Sequence, residues 1–346
     1  MKICFLMYPW DRIDPATNST LRLIHEAATR QLTVAITTPN NLTVRESTAF
    51  AFCNVLKKDK KISSSIPTFY KTASFKRCKL PLAGFDVIIM RANPPLDTTA
   101  LNFLDSVRND VFIINDLDGL RIANNKLYTA SFSGEATKFI PVTHVSKSID
   151  YLEQVLDESP TEKMIMKPLN GYGGKGVIVV EKRAQQSFRS LLDFYIGSDD
   201  GNYVILQEYV EGAEKGDVRI LMLNGEPIGA MRRVPAEKDI RSNIHAGGQE
   251  VKHTLTKEEK ALCKAMGPQL VRDGLYLVGL DVINGKLIEV NVLSPGGITR
   301  INKLNRVKLQ KQILNFVENM VSARELVTER KNTFRKVIED AEAIGN

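Results

Sequence analysis

Gly279-Leu-Asp-Val-Ile-Asn-Gly-Lys-Leu-Ile-Glu-Val-Asn291 reads as a β-hairpin, with Asn284-Gly285 as its turn and β-branched or apolar residues filling both arms. Side chains alternate faces along an arm, so Glu289 and Asn291 share a face. Asp281 joins them in only one class of register. A two-residue turn pairs it with Ile288 and turns it away, whereas a three-residue loop or a glycine bulge sets it opposite Glu289 or Leu287. In the latter case Asp281, Glu289 and Asn291 form an oxygen-only ligand set without His or Cys. Such a set suits Mg²⁺, which takes one or two carboxylates and completes its octahedron with water and substrate phosphates. A polar edge hairpin without metal is the alternative reading of the same pattern.

The remaining composition sets limits. With 346 residues, 43% apolar and 25% charged, the chain matches an ordinary soluble globular protein of about two or three compact lobes. No apolar run approaches the roughly 20 residues that span a bilayer. The start, Met1-Lys-Ile-Cys-Phe-Leu-Met-Tyr-Pro-Trp10, is followed by no small-residue cleavage site, so 3–8 reads as a buried first strand. Cys4, Cys53, Cys78 and Cys263 lack metal or disulfide spacing, which predicts reduced thiols and a cytoplasmic location without a membrane partner. The net charge of +7 suits anionic ligands. Lys57, Lys58, Lys60 and Lys61 have no interleaved aromatics, so they read as a solvated loop and no nucleic-acid partner is expected.

The N-terminal region alternates expected strands at 2–8, 33–37, 86–90 and 111–114 with helices at 19–30 and 97–107, an open α/β sheet without the dinucleotide-binding glycine turn. Ligands of such sheets sit at the carboxyl ends of strands, where this chain places 11–20 and Arg91-Ala-Asn-Pro-Pro-Leu-Asp97. Asp97 reads equally as a helix N-cap. A helix over 119–129, carrying Lys126, is expected to end this lobe.

Beyond it, Met164-Ile-Met-Lys167-Pro-Leu, Asn170-Gly-Tyr-Gly-Gly-Lys-Gly176 and Val177-Ile-Val-Val180 read as strand, glycine-rich loop and strand. Backbone N–H groups approach phosphate closely only where Cβ atoms are missing, and Lys167 enters the loop where an ammonium reaches phosphate oxygens. Tyr203-Val-Ile-Leu-Gln207-Glu208-Tyr209-Val210 is an apolar strand with a polar end, suited to an adenine edge or simply to the core. Arg219 and Arg233, on strands joined through Asn224-Gly225, suggest bidentate anion contacts. The polar run 236–248 reads as a lid.

In this order the elements resemble the ATP-grasp fold and, within it, bacterial glutathione synthetases. The resemblance runs from about residue 1 to about 320 and rests on Met90-Arg91, Pro94-Pro95, Asp97, Lys167-Pro-Leu-Asn-Gly171, Gly173-Gly174, Asp217 and Arg219, Asn224-Gly-Glu-Pro227, Arg233-Val-Pro, Arg241-Ser-Asn243, Ala246-Gly247-Gly248 and Asn291-Val-Leu-Ser294-Pro295. Gly296-Gly297 after Ser294-Pro295 and the charged 325–346 tail depart from the family pattern.

The resemblance implies an α/β fold with a Rossmann-like N-terminal lobe (1–120), ATP-grasp lobes at 121–202 and 203–323, and a tail from 324. It implies an ATP-dependent ligase that joins γ-glutamylcysteine to glycine through an acyl phosphate, in a homodimer or homotetramer. Asp281, Glu289 and Asn291 would hold two Mg²⁺ ions, for which Mn²⁺ can substitute. Lys126 and Lys167 would pair with phosphates under Gly171, Gly173 and Gly174, and Gln207, Glu208, Tyr209 and Val210 would carry adenine. Arg219 and Arg233 would stabilise the reacting anions. Ser19, Thr20 and Arg91 would meet the γ-glutamyl end, and Arg241, Asn243, Gly247, Gly248, Ser294 and Gly296 would line the remaining substrate space. Another ATP-grasp carboxylate–amine ligase and a non-catalytic ATP-binding scaffold are the alternatives.

Overall fold

The computed structural model describes residues 1–58, 61–169, 176–197, 202–235 and 248–344. The chain divides into two compact units, Met1–Ala92 with Asp97–Ile114 and Lys308–Asn346, and Asn93–Leu96 with Asn115–Val307.

The first unit contains β1 (Lys2–Met7), α1 (Ser19–Thr29), β2 (Thr33–Thr37), β3 (Leu42–Arg45), β4 (Thr48–Leu56), α2 (Ile66–Thr72), β5 (Phe75–Pro81), β6 (Val87–Arg91), α3 (Thr98–Asp105) and β7 (Phe112–Ile114). They form a sheet of order β3-β4-β2-β1-β6-β7 with β5 beside β4, parallel across β2-β1-β6-β7 and antiparallel around β4. Ile3 to Met7 are all buried, as a parallel strand covered on both faces requires. The Asn18 side chain caps α1 by accepting the Leu21 N–H at 2.7 Å, and Asp97 caps α3 by accepting the Ala100 N–H at 2.9 Å, so Asp97 is an N-cap. The C-terminal helix Leu309–Ile344 buries Leu309, Ile313, Leu314, Val317 and Val321 on this unit, with Arg30 bonded to Glu318 at 2.6 Å.

The second unit opens with α4 (Leu117–Ala123) and α5 (Leu127–Ala130). One helix was expected over 119–129. The chain instead breaks at Asn124–Lys126, because the Asn125 side chain takes the Leu127 N–H at 2.9 Å and competes with the helical ladder. The break leaves Lys126 at the N-terminus of α5.

Next come β8 (Thr143–Ser146), α6 (Ile149–Glu158), β9 (Lys163–Pro168), β10 (Ile178–Glu181), α7 (Gln185–Ile196) and β11 (Val204–Glu208). The strands form an antiparallel sheet β10-β9-β11-β8 whose Met164, Met166, Val204 and Leu206 pack with Leu152, Leu156, Phe188 and Leu192 of the helices. A five-stranded antiparallel sheet β14-β13-β12-β15-β16 follows, made by β12 (Asp217–Leu223), β13 (Glu226–Val234), β14 (Gln249–Lys252), β15 (Leu277–Ile283) and β16 (Lys286–Asn291). Also here are α8 (Lys257–Arg272), started by a capping box of Thr256 and Glu259, and α9 (Ile298–Asn305).

Asn115 ties this sheet to its own unit. Only 3% exposed, its Nδ2 donates to the carbonyls of Leu277 and Val292 at 2.9 Å each, and its Oδ1 accepts the Leu277 N–H at 2.8 Å. Asn115→Ala strands three buried backbone groups, so the loss of stability should be about 3 kcal/mol or more. Urea denaturation checks this, and a loss below about 1 kcal/mol would contradict the burial of these bonds.

Candidate active site

Register places the charged residues on one face of the five-stranded sheet. Arg219 of β12 lies opposite Asp281 of β15, and Asp217 lies opposite Arg233 of β13. Residues two apart on a strand share a face, so both pairs line up together. At the hairpin, a bulge between Asp281 and Val282 sets Asp281 opposite Glu289 and Gly279 opposite Asn291. This is the register in which the three oxygen-bearing side chains meet. Asn284 and Gly285 both adopt positive φ, 43° and 73°, as the turn demands.

Two forks hold the arginines. Arg219 donates Nε to Asp281 Oδ1 at 2.5 Å and Nη2 to Oδ2 at 2.9 Å. Arg233 donates Nε to Asp217 Oδ1 at 2.6 Å, Nη2 to Asp217 Oδ2, and lies 3.0 Å from Asp281 Oδ2. All four residues are 5–8% exposed. Burial alone would raise the Asp281 carboxyl, yet Arg219 and Arg233 bring it down to about 2. Burial likewise works against the charge on Arg233, but Asp281 and Asp217 hold it above its ordinary value.

Gly279 leaves room for the Arg219 stem: a Cβ there would lie 3.2 Å from Arg219 Cδ and 3.4 Å from Nε. The fork to Asp281 holds Arg219 to one side-chain conformation, so it can give way only by a small shift. Gly279→Ala should therefore displace the guanidinium by a few tenths of an ångström and lower kcat/KM about tenfold at nearly unchanged urea midpoint. Steady-state kinetics beside denaturation checks it, and wild-type kinetics would contradict it.

Glu289 and Asn291 line a cavity with Lys126, Leu169 and Pro94. Burial and the nearby Asp281 raise the Glu289 carboxyl, while Lys126 and Lys167 act in the other direction. Burial lowers the ammonium of Lys126, opposed by Glu289. Lys167, 6% exposed, is brought down to about 8 by burial, with Glu289 opposing. Its Nζ donates to Gln207 Oε1 at 2.9 Å, and Gln207 Nε2 donates to Thr143 Oγ1 at 2.7 Å. Four cations thus face three carboxylates, an excess of positive charge suited to a polyanion.

The donor set decides how a divalent ion fits. Among the described residues no group of three or more His, Cys, Asp or Glu side chains forms a cage. Asp281 already receives Arg219 Nε and Nη2, Arg233 Nη2 and, at 3.1 Å, Asn291 Nδ2. A carboxylate has about four acceptor positions, so Asp281 is filled by the arginines and Asn291 as the side chains stand. The ligand atoms left are the Glu289 carboxylate and the Asn291 oxygen, a set of one carboxylate and one carboxamide that fits a hard ion completed by phosphate oxygens and water.

Of the other expected residues, Gln207 and Glu208 are engaged in the sheet. Glu208 accepts the Val142 N–H at 3.1 Å, while Tyr209 and Val210 follow the strand half-buried. Ser19, Thr20 and Arg91 come together in the first unit, where Arg91 Nε donates to Thr20 Oγ1 at 3.0 Å and burial brings the guanidinium down to about 10. Ser294 takes a left-handed φ of 44°, Gly296 has open space where a Cβ would stand, and Gly248 is half-buried at the entry to β14. Gly171, Gly173, Gly174, Arg241, Asn243, Gly247 and the lid over 236–247 lie outside the described residues. Asp217 was missed as a site residue. Its signal was the i, i+2 spacing of Asp217 and Arg219, but its partner Arg233 emerges only from cross-strand register.

A family model described as the prokaryotic glutathione synthetase N-terminal domain matches residues 1–121, and one described as the prokaryotic glutathione synthetase ATP-grasp domain matches 125–306. The chain is 34% identical over 326 residues to a glutathione synthetase of Gloeobacter violaceus, covering 92% of this chain and 96% of that one. It is 32% identical over 332 residues to a glutathione synthetase of Nostoc sp., covering 92% and 98%. Its fold matches an ATP-grasp RimK-domain protein from Sphaerobacter thermophilus with a TM-score of 0.59 at 13% identity, covering 91% of this chain and 99% of that one. No helix among the described residues is long and apolar enough to cross a membrane.

Proposed function

Because this chain belongs to the prokaryotic glutathione synthetase family, we propose that it is an ATP-dependent ligase joining γ-glutamylcysteine to glycine, with release of ADP and phosphate. The observation that carries the reading is the single sheet face on which Asp217, Arg219, Arg233, Asp281, Glu289 and Asn291 stand in register, with Lys126 and Lys167 beside it.

Forming an amide from a carboxylate needs activation, which transfer of the γ-phosphoryl group to the cysteinyl carboxylate supplies. The amine of glycine then attacks the acyl phosphate, the tetrahedral anion collapses, and phosphate leaves. Lys126 and Lys167 bind the phosphates as point charges. Arg219 and Arg233, held rigid by Asp281 and Asp217, present guanidinium edges to the developing anion without reorganisation. Within the first unit, Arg91 with Ser19 and Thr20 meets a charged group of the γ-glutamyl end. Glu289 and Asn291 would hold Mg²⁺, or Mn²⁺ in its place, which when bound neutralises phosphate charge. A dimer or tetramer and a cytoplasmic location belong to the same proposal, as does a second ion, which can take Asp281 only when one of the four donors now on it withdraws.

An open Gly296 puts no side chain beside an acceptor's Cα. Glycine should therefore outcompete alanine by only about tenfold in kcat/KM, the lower end for one methyl group in a packed site. The acid substrate should be selected more sharply, since a missing γ-glutamyl charge leaves buried partners unpaired. Kinetics with γ-glutamylcysteine against α-linked dipeptides and free glutamate, with product masses recorded, tests this. Equal rates for all acids would leave only a general carboxylate–amine ligase.

A further inference from the structure

Three of the four cysteines, Cys4, Cys53 and Cys78, belong to the first unit. Along β4 the buried residues Ala49, Ala51 and Cys53 alternate with more exposed ones, so Cys53 faces the core. Its partner across the ladder to β5 is Cys78, directly opposite. Opposed residues of an antiparallel pair have Cα atoms about 4.5 or 5.5 Å apart, depending on whether the pair is hydrogen-bonded. Both distances fall within the roughly 4.4–6.8 Å window that a disulfide spans. Because opposed side chains share a face, the two thiols also point the same way.

Their exposures differ in a useful sense. Cys53 is fully buried, whereas Cys78 is half-exposed on β5, which pairs with β4 alone among the described strands. Cys78 is flanked by exposed Lys76, Arg77 and Lys79, which attract an anionic reagent. The Cys53 thiol, hydrogen-bonded with Cys4 and Thr37, is held below its ordinary value although burial opposes this, while Cys4 is pushed well above its own.

We propose that Cys78 and Cys53 form a reversible thiol–disulfide site in which Cys78 is the attacking and Cys53 the resolving thiol, reacting with an anionic low-molecular-weight disulfide. Glutathione disulfide is the reagent of that class which the proposed activity makes relevant, and only this choice of reagent rests on that activity. The Cys78 thiolate attacks one sulfur of the reagent, its S–S bond breaks, and one glutathione leaves as thiolate. The Cys53 thiolate then attacks the Cys78 sulfur and releases the second glutathione. Two protein thiols are oxidised, one external disulfide is reduced, and the two protons lost by the protein thiols are taken up, through solvent, by the two released glutathione thiolates. Neither residue belongs to the sheet face that carries the proposed ligase chemistry.

The test uses the full reduced chain, incubated at low and high salt with glutathione disulfide or with neutral hydroxyethyl disulfide, then digested without reduction for mass spectrometry. The expected product joins the Cys53 and Cys78 peptides in both reagents, forming several-fold faster with glutathione disulfide at low salt. Cys53→Ser should stop at a glutathione adduct on Cys78, and Cys78→Ser should yield neither adduct nor link. A Cys4 to Cys53 link, a persistent adduct on wild-type Cys78, or no reaction with either reagent would overturn the site. Linking by the neutral reagent alone would overturn the anionic oxidant. These masses do not depend on ligase turnover, so failure of the ligase reading would show separately, as absent peptide synthesis.

Discussion

Glu289→Gln should abolish ligase turnover while leaving the melting temperature unchanged or raised. Gln keeps the shape of Glu289 but removes the carboxylate that, with Asn291, is left to bind a divalent ion, so kcat should fall at least about 10³-fold. The stability half of the expectation follows from sign. Burial and Asp281 raise the Glu289 carboxyl, so ionised Glu289 costs the folded state at pH values above its folded value. An uncharged amide removes that cost at neutral pH, the trade between stability and activity expected of a functional group. Steady-state kinetics with a thermal melt decides it: near-normal turnover at ordinary Mg²⁺ would remove Glu289 from the chemistry.

Lys167→Met should weaken ATP binding by roughly tenfold to a hundredfold, as expected for losing about 1.5–3 kcal/mol of a hydrogen bond to a charged group. Met fills a similar volume, and the charge it removes is one that burial opposes. The folded Lys167 sits near 8 against an ordinary 10.5, so its protonated form costs stability below about pH 8 and that cost fades as pH rises toward 10.5. At pH 7 the urea midpoint should therefore hold or rise, the Gln207 Oε1 left without its donor offsetting part of the gain. As pH rises through about 8, wild-type Lys167 sheds its proton, ATP affinity should fall, and the gap between wild type and variant should narrow. Titration calorimetry across pH 6.5–9 reads both effects, and a constant gap would contradict the phosphate role of Lys167.

What was legible in the sequence follows from how local each signal is. Asn284-Gly285 announced the decisive hairpin, and β-bulge or longer loop was the condition for Asp281 to face Glu289. The bulge at Asp281/Val282 meets that condition. Strands β3 and β4 went unread because their turn is Glu46-Ser47, which adopts φ of 51° and 60° without the Asn or Gly that usually marks it. The break before Lys126 went unread although Asn124-Asn125 precede it, since it depends on which backbone group the Asn125 side chain captures. The Asp217–Arg233 fork spans two strands and was invisible for a different reason: it exists only once register is fixed. Likewise, sequence offered Asp281 as a ligand beside Glu289 once the register was right, whereas the structure has its oxygens filled by two arginines and Asn291.

The central claim is that this sheet face activates one acid with ATP and hands it to one amine. The most direct measurement is ADP formation by the purified chain with γ-glutamylcysteine, with and without glycine, alongside the yield of peptide. The account predicts sustained ADP release only when both are present, one ADP per γ-glutamylcysteinylglycine formed. ADP release that ignores glycine, or that proceeds equally with free glutamate and yields no tripeptide, would contradict it.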